Sequence, residues 1–181
     1  MFNKILVAID HSAGSKQVFE KALSIAKADG ANLILLHVLS VEEIGNWKSP
    51  YLLQHKDRCI HVAPHIMRRA NQVCEREWSQ FKQKGIELLR GYANKAIAAG
   101  VQTEFTQITG HPSSTICEFA RSCHADVIAI GRRGYSHLQE MSLGSVSNHV
   151  MHHAPCSILL VQTSTLEESA SANSIQTGIY A

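Results

Sequence analysis

KILVAIDHSAGSKQVFEKALSIAKADGANLILLHV, residues Lys4 to Val38, decides the architecture of the chain. Lys4 to Ile9 is a short run of branched apolar residues that ends in Asp10 and a polar turn, which reads as a buried strand followed by a loop. From Ser15 to Ala28 the residues Val18, Phe19, Ala22, Leu23, Ile25 and Ala26 recur at helical spacing, and Gly30 follows where a helix C-cap is expected. Asn32 to Val38 is again almost wholly apolar. A strand, a helix and a second strand in so short a stretch make a βαβ unit, and near-continuous apolar strands imply a parallel sheet covered on both faces.

The same alternation continues outward. Leu39 to Val73 breaks it, with Gly45, Pro50 and Pro64 and no sustained period, and reads as an irregular insert with one or two short helices. Helical spacing returns over Cys74 to Ala99 and stops at Gly100. Val101 to Ile108 alternates apolar and polar residues, the pattern of an edge or half-exposed strand. Gly110, His111 and Pro112 form a turn, with Pro112 suited to the first turn of the next helix. Asp126 to Ile130 is a fourth buried strand, Gly131 to Leu143 a glycine-punctuated loop, Ser145 to His153 a helix stopped before Pro155, and Ser157 to Gln162 a fifth strand. The expected fold is α/β, a doubly wound five-stranded parallel sheet with helices on both faces. It forms one domain over 1–163 with the insert at 39–73, followed by a loose polar tail over 164–181.

Composition narrows the function. Of 181 residues, 45% are apolar, enough for a sizeable core, and 17 Lys plus Arg against 15 Asp plus Glu leave a charge of +2, too little for tracking nucleic acid phosphates. The apolar runs are strand-sized, far from the ~20 residues that span a bilayer, so neither nucleic acid nor a membrane is an expected partner. A β-like run in place of a signal peptide, and an odd five cysteines without regular spacing, point to a cytoplasmic protein with reduced thiols.

The chemistry concentrates where the fourth strand passes into the last helix. Gly131-Arg132-Arg133-Gly134, nine residues, then Gly144-Ser145 place glycines and a hydroxyl between a buried strand and a helix N-terminus, where free N–H groups face anions. This is a candidate phosphate cradle, although glycines after strands also serve simple turns. It is neither the GxGxxG fingerprint nor the Lys-bearing P-loop.

Gly131-x2-Gly134-x9-Gly144-Ser145, followed by Val146-Ser147 and the run HAPCSILLV from His153 to Val161, resembles the universal stress protein family in its ATP-binding branch. The opening KILVAID with Ser12 and Ser15, the LHV of the second strand and the Gly110-x-Pro112 turn support the resemblance, which covers about Met1 to Val161. Two departures are Ser157, where Pro often follows the cysteine, and His11, where a small residue or Pro is common. The resemblance implies a regulatory ATP, with or without Mg²⁺. Asp10 would lie beside ribose and adenine, Val38 would give backbone contacts to the adenine edge, Gly131 and Gly134 would lie along the phosphates, and Gly144, Ser145 and Val146 would hold the outer phosphates. It also implies a homodimer through the last strand. On physical grounds Asp10 suits ribose hydroxyls or a divalent ion, or simply a helix N-cap, and Arg132 and Arg133 suit either phosphate or solvent.

Other clusters are weaker. Cys59, His61 and His65 have a metal-like spacing but an incomplete ligand set. His149, His152 and His153 share a helix face without an acidic or cysteine partner. Cys117, Cys123 and Cys156 sit at apolar or turn positions and read as inert. With no G-x-S-x-G elbow and no evident catalytic base, slow ATP hydrolysis and a nucleotide-free interaction module acting through the insert stand as the alternatives.

Overall fold

A computed structural model describes residues 1–40, 64–132 and 144–162. The elements run β1 (Lys4–Ala8), α1 (Gly14–Asp29), β2 (Asn32–Leu39), α2 (Pro64–Ala98), β3 (Thr103–Thr109), α3 (Pro112–Ser122), β4 (Val127–Arg132), α4 (Ser145–His153) and β5 (Ser157–Gln162). The strands form one parallel sheet in the order β3-β2-β1-β4-β5. The expected doubly wound fold is therefore present, with β1 at its centre.

Period-two alternation sorts the core onto two faces. Ile5, Val7, Leu33, Leu35 and Val127 pack under α1 and α2 with Phe19, Ala22 and Leu89. Leu6, Leu36, Val38, Ile128 and Ile130 pack on the opposite side with Ile116 and Val150 of α3 and α4. Ile5, Leu6 and Val7 are fully buried, each side chain contributing about 1.5–3 kcal/mol of transfer free energy. Gly30 ends α1 in the left-handed region at φ 70°, as a C-cap requires.

Two boundaries differ from the sequence reading. Helix α2 is a single 35-residue element starting at Pro64, inside the stretch read as irregular. Proline at a first turn, rather than in a loop, accounts for the misreading. At about 1.5 Å per residue α2 is roughly twice as long as β2. Strand β4 also runs on through Gly131 and Arg132, paired with Val161 and Gln162, so the loop begins two residues later than expected. Residues 41–63, which hold most of the insert with Trp47, Cys59 and His61, and the tail from 163 lie outside the described residues. No helix among the described residues is long and apolar enough to cross a membrane.

Helix α2 crosses β2 and β3 over a polar pair, buried His37 and half-buried Gln107. His37, fully buried, has its Nδ1 2.9 Å from Gln107 Nε2, and Gln107 also donates to the Lys82 carbonyl of α2 at 3.2 Å. Gly85 makes this approach possible. A Cβ there would meet Gln107 Nε2 at 2.2 Å and His37 Nδ1 at 2.7 Å. Gly85→Ala should cost about 1–3 kcal/mol in denaturant unfolding, the usual range for overpacking. Gly91→Ala, on the same helix with nothing within 4 Å, should instead gain about 0.5–1 kcal/mol. Equal effects would show that the crossing is not tight.

The N-terminal segment is tied down at the opposite end of the sheet. Asp126 accepts the amides of Asn3 at 2.8 Å and Lys4 at 2.9 Å, and these bonds hold its carboxyl below its ordinary range. A depressed folded-state value means the stabilisation is complete above the unfolded value of about 4 and is lost as pH falls through the lower folded value. Asp126→Asn should accordingly lower Tm at neutral pH, with the gap from the native protein closing in acid. A gap that stays constant through the acid range would contradict this role.

Candidate functional site

Strand order fixes where a cleft can form. From β1 the chain moves to β2 on one flank, whereas from β4 it moves to β5 on the other, so the loops that follow β1 and β4 part company at the carboxyl ends of two neighbouring strands. A cavity of about 390 Å³ opens there, within the rough range of 300–1,000 Å³ seen for small-molecule sites. Asp10, Val38, Gly131, Arg132, Gly144, Ser145 and Val146 all line it. Gly134, with Arg133, lies outside the described residues.

Three helix N-termini meet at this cavity. Gly14 and Ser15 begin α1, Pro112 begins α3, and Gly144 through Ser147 form the first turn of α4. None of the three helices carries an acidic residue in its first turn, and none has a side-chain capping bond from its N-cap residue. The partial positive charge of these ends borders one space, an arrangement suited to an anion, with the amides supplied mainly by α4, because Pro112 has no N–H and the Ser15 amide donates to the Ser12 carbonyl at 3.2 Å. Arg132, half-buried at the end of β4, adds a cation.

Asp10 lines the cavity in the β1–α1 loop, beside the first turn of α1. Its Oδ1 accepts the Ser12 amide at 3.0 Å, the Ser15 hydroxyl at 2.7 Å and a short bond from the Ser12 hydroxyl, and the Asp10 amide in turn donates to Ser15 Oγ at 2.9 Å. Asp10 is not the N-cap of α1, because Ala13 holds that place without a side-chain bond. The carboxylate organises the β1–α1 loop from within and faces the cavity from its rim.

The sequence reading missed Ser40, Ser147, Pro112 and Ile116 as lining residues. Ser40 was detectable, because Leu36, Val38 and Ser40 follow one another at period two on the face that meets the cavity. Ser147 is buried and spends its hydroxyl on the Gly144 carbonyl at 3.0 Å, which stabilises the turn carrying the candidate phosphate amides.

The remaining candidates stay apart from the cleft. Burial pushes the thiols of Cys117, Cys123 and Cys156 above their ordinary range, which disfavours the reactive thiolate. The His149 and His153 rings stack at 4.1 Å, with His153 Nδ1 2.9 Å from the His149 carbonyl. Among the described residues no group of three or more His, Cys, Asp or Glu is placed to hold a metal ion.

Comparison with known proteins identifies relatives of the whole described chain. The family model of the Universal stress protein family matches residues 1–162. Universal stress protein YxiE of Bacillus subtilis is 32% identical over 162 residues, covering 90% of this chain and 100% of its own length. Among solved structures, a universal stress protein in complex with cAMP aligns with a TM-score of 0.60 at 24% identity, over 90% of this chain and 99% of that one. A universal stress protein family protein from Arabidopsis thaliana with AMP bound aligns with a TM-score of 0.59 at 23% identity, over 93% and 97%.

Proposed function

Since the chain belongs to the universal stress protein family, we propose that it binds ATP in the cleft at the β1/β4 switch point and holds it as a regulatory ligand in a cytoplasmic stress response. The observation that carries this reading is the meeting of three uncapped helix N-termini, free of acidic first turns, on one cavity. The adenine lies against Val38, the ribose beside Asp10, and the phosphates along Gly131, Arg132 and Gly134 to the amides of Gly144, Ser145 and Val146. The adenine nucleotides carried by two structural relatives support the ligand class. A Mg²⁺ ion accompanying the triphosphate suits the donor set, since the Asp10 carboxylate and the Ser12 and Ser40 hydroxyls are oxygen ligands of the kind that ion prefers. It would offset phosphate charge when bound.

Gly144→Val puts a branched side chain where backbone must approach phosphate oxygens. Isothermal calorimetry on the folded variant should show ATP affinity reduced about tenfold or more. Native-like affinity in that variant would reject the placement, and absence of ATP binding by the native chain would reject the function.

The dimer expected from the sequence belongs to the same proposal, and β5 supplies its support. Strand β5 is an edge strand whose Ser157 amide donates inward to the Asp126 carbonyl at 3.2 Å. Period two therefore turns the amides of Leu159 and Val161 inward and those of Ile158 and Leu160 outward. The strand SILLVQ carries no Lys, Pro or charge to protect this edge. Antiparallel pairing with β5 of a second copy satisfies the outward row about a two-fold axis. Light scattering should find the native chain dimeric at micromolar concentration and Leu160→Pro monomeric yet folded, whereas Leu159→Pro, which removes an inward bond, should lose stability. A monomeric native chain would refute the interface.

A further inference from the structure

The loop that follows β1 has two sides, and they serve different neighbours. Asp10 and Ser12 line the cavity. His11, between them, is directed to the opposite side, where its ring meets the buried His37 ring edge-on at 5.2 Å and 75° and lies 5.3 Å from the Phe81 ring of α2. Phe81 in turn is 6.2 Å from His37. His37 is fixed from below by Gln107, by the Lys82 carbonyl that Gln107 reaches, and by the close backbone of Gly85. His11 is exposed at the loop surface, yet its ring rests on a platform that cannot shift without moving α2.

From this geometry we infer that His11 is a positioning residue for the nucleoside half of the cleft. Its ring, seated on Phe81 and His37, fixes the backbone of residues 10–13 so that Asp10 keeps its bonds to Ser12 and Ser15 and faces the sugar in one orientation. Helix α2 packs on β2 and β3, whereas the proposed outer-phosphate residues Gly144 to Val146 lie at the start of α4, so its influence is expected at the ribose side. The inference deepens the nucleotide reading above and rests on it for the identity of the ligand, but the anchoring of the loop can be measured without one.

The test uses the full chain with His11→Ala, Phe81→Ala, the double variant and His11→Phe, which keeps a ring. Three readouts are taken: affinity for ATP, affinity for inorganic tripolyphosphate, and hydrogen exchange at the Ser12 amide, which donates to Asp10. An aromatic contact of this kind predicts ATP affinity about three- to tenfold weaker in His11→Ala, with tripolyphosphate affinity unchanged and Ser12 exchange faster. Phe81→Ala should do the same, the double variant should be no worse than either single one, and His11→Phe should restore all values. A destabilised fold alone would not spare tripolyphosphate or be rescued by Phe. Native ATP affinity and native Ser12 exchange in His11→Ala would overturn the inference, as would additive single effects, equal weakening of both ligands, or failure of His11→Phe to rescue. If the native chain binds neither ATP nor tripolyphosphate, the nucleotide reading fails and with it the ligand role; faster Ser12 exchange in His11→Ala would then show that the anchoring itself is real.

Discussion

Parallel pairing of β1 on both of its edges is the constraint on which the remaining structure depends. Residues Ile5 to Val7 pair with Leu33 to Leu35 on one side and with Val127 to Ala129 on the other. A strand so placed must be apolar on both faces, and its chain can leave only at the carboxyl end. The two neighbouring connections then diverge, and the opening between them collects the N-termini of α1, α3 and α4. A cleft bordered by helix N-termini thus follows from strand order before any side chain is chosen.

Side chains refine that opening through the strict alternation of the strands. Along β2 and just beyond it, Leu36, Val38 and Ser40 face the cavity, while His37 faces α2. A buried imidazole costs free energy unless its polar atoms find partners, and Gln107 on the neighbouring strand supplies one. Accommodating that pair beneath a helix then requires a residue without a side chain, and Gly85 fills this need. Two residues far apart in sequence, Gln107 and Gly85, are thus explained by one polar group, and the helix they hold is α2.

The sheet was legible because its strands are locally unambiguous. KILVAI, NLILLHV and SILLVQ contain almost nothing but branched or apolar residues, and their intervening helices end at Gly30, Gly100 and just before Pro155. Part of the cavity lining was legible too, since Gly131, Gly144, Ser145 and Val146 stand out at a strand-to-helix junction and do line it. What escaped was long-range. Pro64 begins a helix, a role local sequence cannot distinguish from a loop, and the last two residues of β4, Gly131 and Arg132, join the strand because β5 offers Val161 and Gln162 as partners. His11 looked like a mere departure from the family pattern. Its neighbours His37 and Phe81 are brought to it by β2 and α2, and no spacing in the sequence records that meeting.

The hydrogen bonds of Asp10 bear on how the nucleotide proposed above would be held. A carboxylate oxygen has few acceptor directions, and Asp10 Oδ1 already takes two hydroxyls and one amide from its own loop. Accepting a proton from an attacking water at that oxygen would require at least one of these bonds to break, and with it the shape of the loop that bears Asp10. Rapid phosphoryl transfer depends on a group free to orient the nucleophile at the transition state. The same bonds fix the direction in which the carboxylate as a whole would meet a sugar in the proposed complex. Oδ1 is therefore spent on the shape of its own loop, and through that shape it would orient a ligand held in the cleft.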